Sequence, residues 1–177
     1  MDYMHTYASP LGGVMLASDG EDLVGLWFEG QKHFGAGLDG EAAEKPLAVF
    51  DQAEKWLDMY FSGREPDFTL PLRLRGTAFQ QAVWRRLLEI PYGHTVSYGE
   101  IAASLGLPPG SARAVGGAVG RNPISLIVPC HRVVGADGSL TGYAGGIDRK
   151  KRLLEIEKRC RGNTAAQPRN ERTLSIS

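Results

Sequence analysis

The residues best suited to chemistry are Cys130 and His131, which are adjacent in the run Pro129-Cys130-His131-Arg132-Val133. A thiolate is a strong, soft nucleophile, and a neighbouring histidine can take the thiol proton directly or through a water molecule. Glu157, on a predicted last helix, could orient that histidine, and Asn122 could fix the turn that carries the cysteine. On its own, however, a lone cysteine is more often a small buried apolar residue than a nucleophile.

The cysteine and histidine content suggests neither a disulfide framework nor a tetrahedral zinc site. Cys130 and Cys160 could form one disulfide at most, and a free thiol is the expected state in a reducing compartment. The chain has no Cys-x-x-Cys pair, and its four histidines are scattered. Cys160 lies near the end of the predicted last helix among basic residues, and we expect it to be exposed and non-catalytic.

Composition and charge narrow the class of protein. The chain has 42% hydrophobic and 23% charged residues, which is typical of a globular domain. No apolar run approaches the ~20 residues that span a bilayer, and the N-terminus lacks a signal-peptide layout. We therefore expect a cytoplasmic protein with no membrane partner.

The net charge of zero conceals two oppositely charged parts. Residues 1–72 carry 13 acidic and 4 basic side chains, whereas residues 73–177 carry 7 acidic and 16 basic ones. A basic second part fits a nucleic-acid surface, although two domains of unlike composition could show the same pattern.

Residues 1–72 are expected to form a small α/β domain with a supporting role. Apolar runs at 14–17 and 23–28 flank an Asp-Gly turn signal, which predicts an antiparallel hairpin. A helix is predicted from about residue 45 to residue 62. Its expected buried face consists of Leu47, Phe50, Leu57 and Phe61. The charge changes sign in residues 63–76, where we place the domain boundary.

Residues 73–160 are expected to form a mainly α-helical domain that contains a helix-turn-helix. Capping boxes at 77–80 and 97–100 predict two helix starts, and Phe79, Val83 and Leu87 are the expected core face of the first helix. A Gly/Pro turn at 106–110 leads to another short helix over 111–119. Helix, tight turn and helix in a basic region is typical of a DNA-binding motif, with an ordinary helical hairpin as the alternative.

The helix predicted over 111–119 consists almost entirely of small side chains. Arg113 is its one charged residue, and its two glycines cost roughly 1 kcal/mol each relative to alanine. Such a helix is expected where another part of the core or a DNA groove must come close to the helix backbone.

The rest of the chain is predicted as follows. Residues 124–128 form a buried strand, the last basic helix runs to about residue 160, and residues 161–177 are an expected disordered tail.

Several blocks of the second domain resemble the O6-alkylguanine-DNA alkyltransferases, also called methylated-DNA–protein-cysteine methyltransferases. The central block is Pro129-Cys130-His131-Arg132-Val133, and the others follow in the family's order. They are Arg75-Gly76-Thr77-Ala78-Phe79-Gln80-Gln81, Ile90-Pro91-Tyr92-Gly93, Val96-Ser97-Tyr98, Ala112-Arg113-Ala114-Val115-Gly116, Asn122-Pro123 and Gly142-Tyr143-Ala144-Gly145-Gly146. Before residue 72 the resemblance is looser and depends chiefly on Ala8-Ser9-Pro10-Leu11-Gly12 and the hairpin.

The resemblance implies a fold and a single-use repair reaction. The N-terminal domain would be RNase H-like, with a small antiparallel sheet and a helix, and the C-terminal domain winged-helix-like. Cys130 would take the alkyl group irreversibly from O6-alkylguanine in DNA, with O4-alkylthymine left open. His131, through a water and backed by Glu157, would remove the thiol proton. Tyr98 would donate a proton toward guanine N3, and Asn122 would hold the turn.

The resemblance also implies how double-stranded DNA is bound. The target nucleotide is flipped out, the helix-turn-helix lies in the minor groove, and Arg113 fills the gap. The residues expected to contact DNA beside Arg113 are Ser97, Ala112 and Gly116. The residues expected to line the alkylguanine pocket are Val133, Tyr143, Ala144 and Gly145. We expect a monomer, with cooperativity along DNA left open.

Three details separate this chain from some relatives. Its 106–110 turn is about one residue longer, and Ala144 replaces a serine. Relatives that carry zinc use N-terminal cysteines that this chain lacks, so we expect no metal and no cofactor.

Two other functions stay open from the sequence. A lesion-binding protein that does not transfer the alkyl group is opposed by the presence of Cys130. A Cys-His hydrolase would leave the basic helix-turn-helix unexplained.

Overall fold

The computed structural model describes the backbone of residues 1–165 and the side chains of residues 1–159. Within that part, no helix is long and apolar enough to cross a membrane. The chain forms an N-terminal sheet domain followed by a helical domain, and a continuous apolar core connects the two.

The N-terminal domain is a four-stranded sheet with one helix. Its strands are β1 (Tyr3–Ser9), β2 (Gly12–Ser18), β3 (Leu23–Phe28) and β4 (Ala43–Glu44), in the order β3-β2-β1-β4. β2 and β3 form the predicted hairpin, which is therefore confirmed. β1 pairs antiparallel with β2, and β4 pairs parallel with β1.

Helix α1 (Ala48–Phe61) begins three residues later than predicted, because Leu47 has extended backbone angles and is the N-cap. Phe50 and Leu57 of the expected face are buried, whereas Leu47 and Phe61 are half-buried. Tyr60 is also on the buried face and has no exposed surface.

The C-terminal domain contains α2 (Ala78–Leu87), β5 (Val96–Ser97), α3 (Tyr98–Ser104), α4 (Ala112–Gly120), a 3-10 turn (Cys130–Arg132), β6 (Val133–Val134) and α5 (Ile147–Ala165). Both capping boxes are present, at Thr77 and at Ser97, as predicted. Strands β5 and β6 pair in parallel, so the start of α3 lies beside the segment that follows Cys130.

The predicted core face of α2 was partly wrong. Val83 and Leu87 are buried, but Phe79 is 37% exposed. Trp84 is buried with them, and its indole Nε1 donates to the Ala118 carbonyl oxygen of α4 at 2.8 Å. The indole hydrogen bond therefore ties α2 to α4.

The strand predicted at residues 124–128 was also wrong, although all five residues are buried. Leu26 of β3 donates to the Pro123 carbonyl at 2.9 Å and accepts from the Ser125 amide at 3.0 Å, and pairing stops there. Leu126 then takes a left-handed φ of 73°, which a regular strand does not allow. The segment therefore turns immediately before the cysteine.

Helix α5 continues to Ala165, five residues beyond the end predicted near residue 160. It therefore takes in the first residues of the expected tail. Residues 166–177 lie outside the described residues, and so does the side chain of Cys160. The disordered tail and the non-catalytic role of Cys160 stay predictions, as does the boundary between residues 72 and 73.

Candidate active site

The turn that carries Cys130 is held by the side chain of Asn122. Its Oδ1 accepts from the Ile124 amide at 3.0 Å, and its Nδ2 donates to the Val128 carbonyl at 2.8 Å. These bonds close the loop around Leu126, whose left-handed backbone costs roughly 1–2 kcal/mol for a residue with a Cβ. The sequence placed Asn122 at this position, but it gave no sign of the strained Leu126.

Cys130 lies at the start of the 3-10 turn and is only 4% exposed. Burial raises the pKa of its thiol to about 11, although a hydrogen bond from Asn122 and the charge of Lys150 act in the opposite direction. The Lys150 ammonium is buried too, and it donates to the Val133 carbonyl at 2.6 Å. At neutral pH the resting thiol therefore holds its proton, and it could act as a thiolate only with the help of a base.

The ring of His131 is buried and points one nitrogen at a carboxylate. Its Nε2 lies 2.5 Å from Glu157 Oε2, and since an ionised carboxylate only accepts, Nε2 is the donor. Its Nδ1 is buried and has no hydrogen-bond partner among the described residues. Burial lowers the pKa of His131, against the influence of Glu157, so the ring is neutral near pH 7 and Nδ1 can accept a proton.

Glu157 is the centre of a hydrogen-bond cluster that sequence reasoning missed in part. Its Oε1 accepts from Arg132 Nε at 2.8 Å and from the Gly93 amide at 3.1 Å. Its Oε2 accepts from the Tyr60 hydroxyl at 2.7 Å as well as from His131. Burial alone would raise the pKa of Glu157, but His131 and Arg132 together hold it well below its usual range. The carboxylate is therefore ionised.

Arg132 and Tyr60 could have been found from chemical signals in the sequence. Arg132 is always charged and lies inside a buried motif, and a buried charge requires an ionised partner such as a carboxylate. Tyr60 falls on the buried face of α1, where a phenol hydroxyl must find a hydrogen-bond partner. The sequence could not have indicated that both would meet the same residue, Glu157.

A cleft of about 400 Å³ lies between α4 and the loop after residue 141. It is lined by Lys32, His33, Tyr98, Gly116, Gly117, Gly120, Arg121, Gly142, Tyr143 and Ala144. Four of the predicted site residues are therefore brought together here: Tyr98, Gly116, Tyr143 and Ala144. Burial raises the pKa of Tyr143, one of the lining residues, well above its usual value.

The other residues predicted to bind DNA or to line the pocket are not among those that line this cleft. Val133 and Gly145 are buried, and each uses its carbonyl oxygen to accept from a side chain of α5. Ser97 is the N-cap of α3, whereas Ala112 and Arg113 begin α4, with Arg113 exposed. Among the residues whose side chains are described, no three His, Cys, Asp or Glu lie together as metal ligands would.

The glycines of α4 face open space rather than the core. A Cβ added at Gly117 or Gly120 would meet nothing within 4 Å, and one at Gly116 would be in ordinary contact, 3.6 Å from the Tyr98 ring. Core packing therefore does not explain their helix cost of roughly 1 kcal/mol each. The open glycines leave the backbone of α4 accessible from outside.

Comparison with known proteins explains this arrangement. The family model for the DNA-binding domain of 6-O-methylguanine DNA methyltransferase matches residues 78–159. The family model for its ribonuclease-like domain matches residues 3–74. The chain belongs to this family. The resemblance seen in the sequence is thus confirmed, and it extends through the N-terminal domain of the methyltransferase.

Known relatives match this chain over nearly its whole length. A methylated-DNA–protein-cysteine methyltransferase of Mycobacterium tuberculosis is 49% identical over 89% of this chain and 93% of its own. One of Haemophilus influenzae is 43% identical over 88% and 86%. The crystal structure of M. tuberculosis OGT in complex with DNA superposes with a TM-score of 0.82 at 49% identity, covering 89% of this chain and 94% of that one.

Proposed function

We propose that this methyltransferase repairs DNA by moving the alkyl group from O6 of guanine to Sγ of Cys130. The observation that carries the proposal is the buried thiol next to a histidine whose Nε2 is bonded to an ionised carboxylate. His131 Nδ1 takes the thiol proton, through a water molecule. The new S–C bond then forms as the C–O6 bond breaks, and the electron pair of that bond stays with the guanine.

Tyr98 is proposed to donate a proton toward N3 of the departing guanine. Its hydroxyl is hydrogen-bonded to that of Thr141 at 2.8 Å, and its ring lines the cleft beside Gly116. When a guanine enters the cleft, the Tyr98 hydroxyl would give up its hydrogen bond with Thr141 and bond to guanine N3 instead. The product is a thioether, which water does not cleave, so each molecule reacts once.

DNA is proposed to bind through α3 and α4 as a helix-turn-helix of winged-helix type in the minor groove. The exposed Arg113 and the open glycine face of α4 suit close approach to a narrow groove. Arg113 would fill the space of the flipped nucleotide, whose extrusion costs a few kcal/mol. We propose that the methyltransferase acts on double-stranded DNA as a monomer.

Single use can be tested by measuring stoichiometry. With excess duplex containing O6-methylguanine, transfer should stop at one methyl group per protein molecule. After tryptic digestion, the peptide of residues 122–132 should carry that methyl group by mass spectrometry. Continued release of product beyond one equivalent would favour a hydrolase, and a methyl group elsewhere would exclude Cys130 as the acceptor.

The Arg113→Ala variant should transfer methyl groups at least about tenfold more slowly from duplex DNA, because the empty space of the flipped base is left unfilled. With free O6-methylguanine base, for which no flipping is needed, its rate should match the wild type. The matched control is Arg73→Ala, which removes an equal charge from a surface pair with Asp19 in the other domain. Equal slowing in both variants would mean that only overall charge matters.

A further inference from the structure

We propose that Tyr60, which belongs to the N-terminal domain, is a positioning residue for alkyl transfer. Its hydroxyl holds the Glu157 carboxylate in the orientation that supports His131. The inference rests on the proposed roles of His131 and Glu157. It gives the N-terminal sheet domain a direct part in activating the nucleophile of the other domain.

The Tyr60 hydroxyl is fixed by its surroundings. Its side chain has no exposed surface, and its ring stacks on Trp56 with centroids 5.6 Å apart and an interplanar angle of 6°. Phe61 and Tyr92 lie edge-on to it at 5.3 and 6.0 Å. From this position the hydroxyl donates to Glu157 Oε2 at 2.7 Å, with the Leu153 carbonyl further away at 3.3 Å.

Arg132 competes for the oxygen that Tyr60 holds. Its Nε is 2.8 Å from Oε1 of Glu157, and its Nη2 is already 3.2 Å from Oε2. A guanidinium prefers to bind both oxygens of a carboxylate in parallel. Arg132 already binds both oxygens in this way, with the longer bond to Oε2. Without the hydroxyl on the other side, Oε2 would move closer to Nη2 of Arg132, and its bond to His131 would weaken.

The charged and titratable groups around Glu157 come from several segments of the chain. They are Tyr60 of α1, Glu65 after α1, Tyr92 after α2, His131 and Arg132 of the 3-10 turn, and Tyr143 before α5. Burial, followed by the charge of Glu157, raises the pKa of Tyr60 well above its usual value. The hydroxyl is therefore a donor throughout the neutral range.

The test is the pH profile of methyl transfer by Tyr60→Phe. Near pH 7 we expect transfer about tenfold slower than wild type, as for the loss of one hydrogen bond to a charged group. Since the thiol pKa is about 11, hydroxide in solution should increasingly replace the base as the pH rises. The difference between variant and wild type should therefore narrow by about pH 10. An unchanged rate, or an equal loss at every pH, would overturn the proposal.

Tyr7→Phe is the matched control. It removes the same atom from a hydroxyl that donates to Asp58 at 2.6 Å on the surface, so its rate should equal wild type at every pH. At position 60, 3-fluorotyrosine keeps both packing and donor and should transfer within about twofold of wild type. A loss there as large as with phenylalanine would show that packing, not the hydrogen bond, matters.

A double-mutant cycle tests whether Tyr60 acts through Glu157. In a Glu157→Gln background, Tyr60→Phe should slow transfer no further. A further loss of full size would contradict the proposal. If Glu157→Gln itself transfers at the wild-type rate, the relay through His131 is wrong, and this inference is wrong with it.

Discussion

The Cys130→Ser variant is expected to lose methyl transfer completely while still binding DNA. A serine hydroxyl is a far weaker nucleophile than a thiol at neutral pH, and the His131 base cannot compensate for this. The side chain is 4% exposed, so the substitution leaves the DNA-facing surface unchanged. Transfer is measured by mass spectrometry after incubation with an O6-methylguanine duplex, and binding by fluorescence anisotropy with the same duplex.

Cys160→Ser is the control for this prediction, since it removes the second thiol of the chain. It should transfer one methyl group at the wild-type rate. Methylation of the Cys130→Ser variant at Cys160, or at any other side chain, would show that Cys130 is not the acceptor. Loss of DNA binding together with transfer would show that the thiol supports the fold.

The candidate site could be proposed from the sequence because several of its residues are contiguous. Cys130, His131 and the glycine-rich block around Gly145 stand in runs whose chemistry can be judged without a structure. Local rules also located both capping boxes, since each depends on residues three apart. These parts of the site required no knowledge of distant contacts.

Features that depend on tertiary contacts were not predictable. The pKa of Cys130 is raised by burial, whereas a reactive cysteine is usually expected to have a lowered one. The apolar run of residues 124–128 was predicted to be a strand. It turns at the left-handed Leu126 because Asn122 and β3 hold the residues on either side, and these contacts are not visible in the sequence. Tyr60 meets Glu157 across 97 residues of sequence, and only the packing of α1 against α5 brings them together.

Glu157→Gln is expected to impair both reactivity and stability. The amide cannot provide the negative charge that stabilises a protonated His131, so the rate of transfer should fall by at least about a hundredfold, the lower end for general acid–base catalysis. The rate is measured in single-turnover reactions with excess protein over an O6-methylguanine duplex, at a temperature where the variant is folded. A wild-type rate would exclude Glu157 from the mechanism.

The loss of stability in Glu157→Gln has a separate cause. Arg132, with 10% of its side chain exposed, would remain buried without its counter-ion. Breaking a buried pair in this way costs about 3–5 kcal/mol, which corresponds to a Tm lower by roughly 6–20 °C in a domain of this size. In addition, the NH₂ of glutamine would face donors whichever way it turned, because both oxygens of Glu157 accept two or more hydrogen bonds.

Glu155→Gln separates these effects from a change in net charge. Glu155 is exposed on the same helix, two residues earlier, and its loss should change Tm by less than about 2 °C and leave the rate unaffected. A double variant, Arg132→Met with Glu157→Gln, should recover part of the Tm because it removes the unpaired charge as well. It should not recover the rate, since His131 still lacks its carboxylate. Recovery of both would mean that Glu157 serves only to neutralise Arg132.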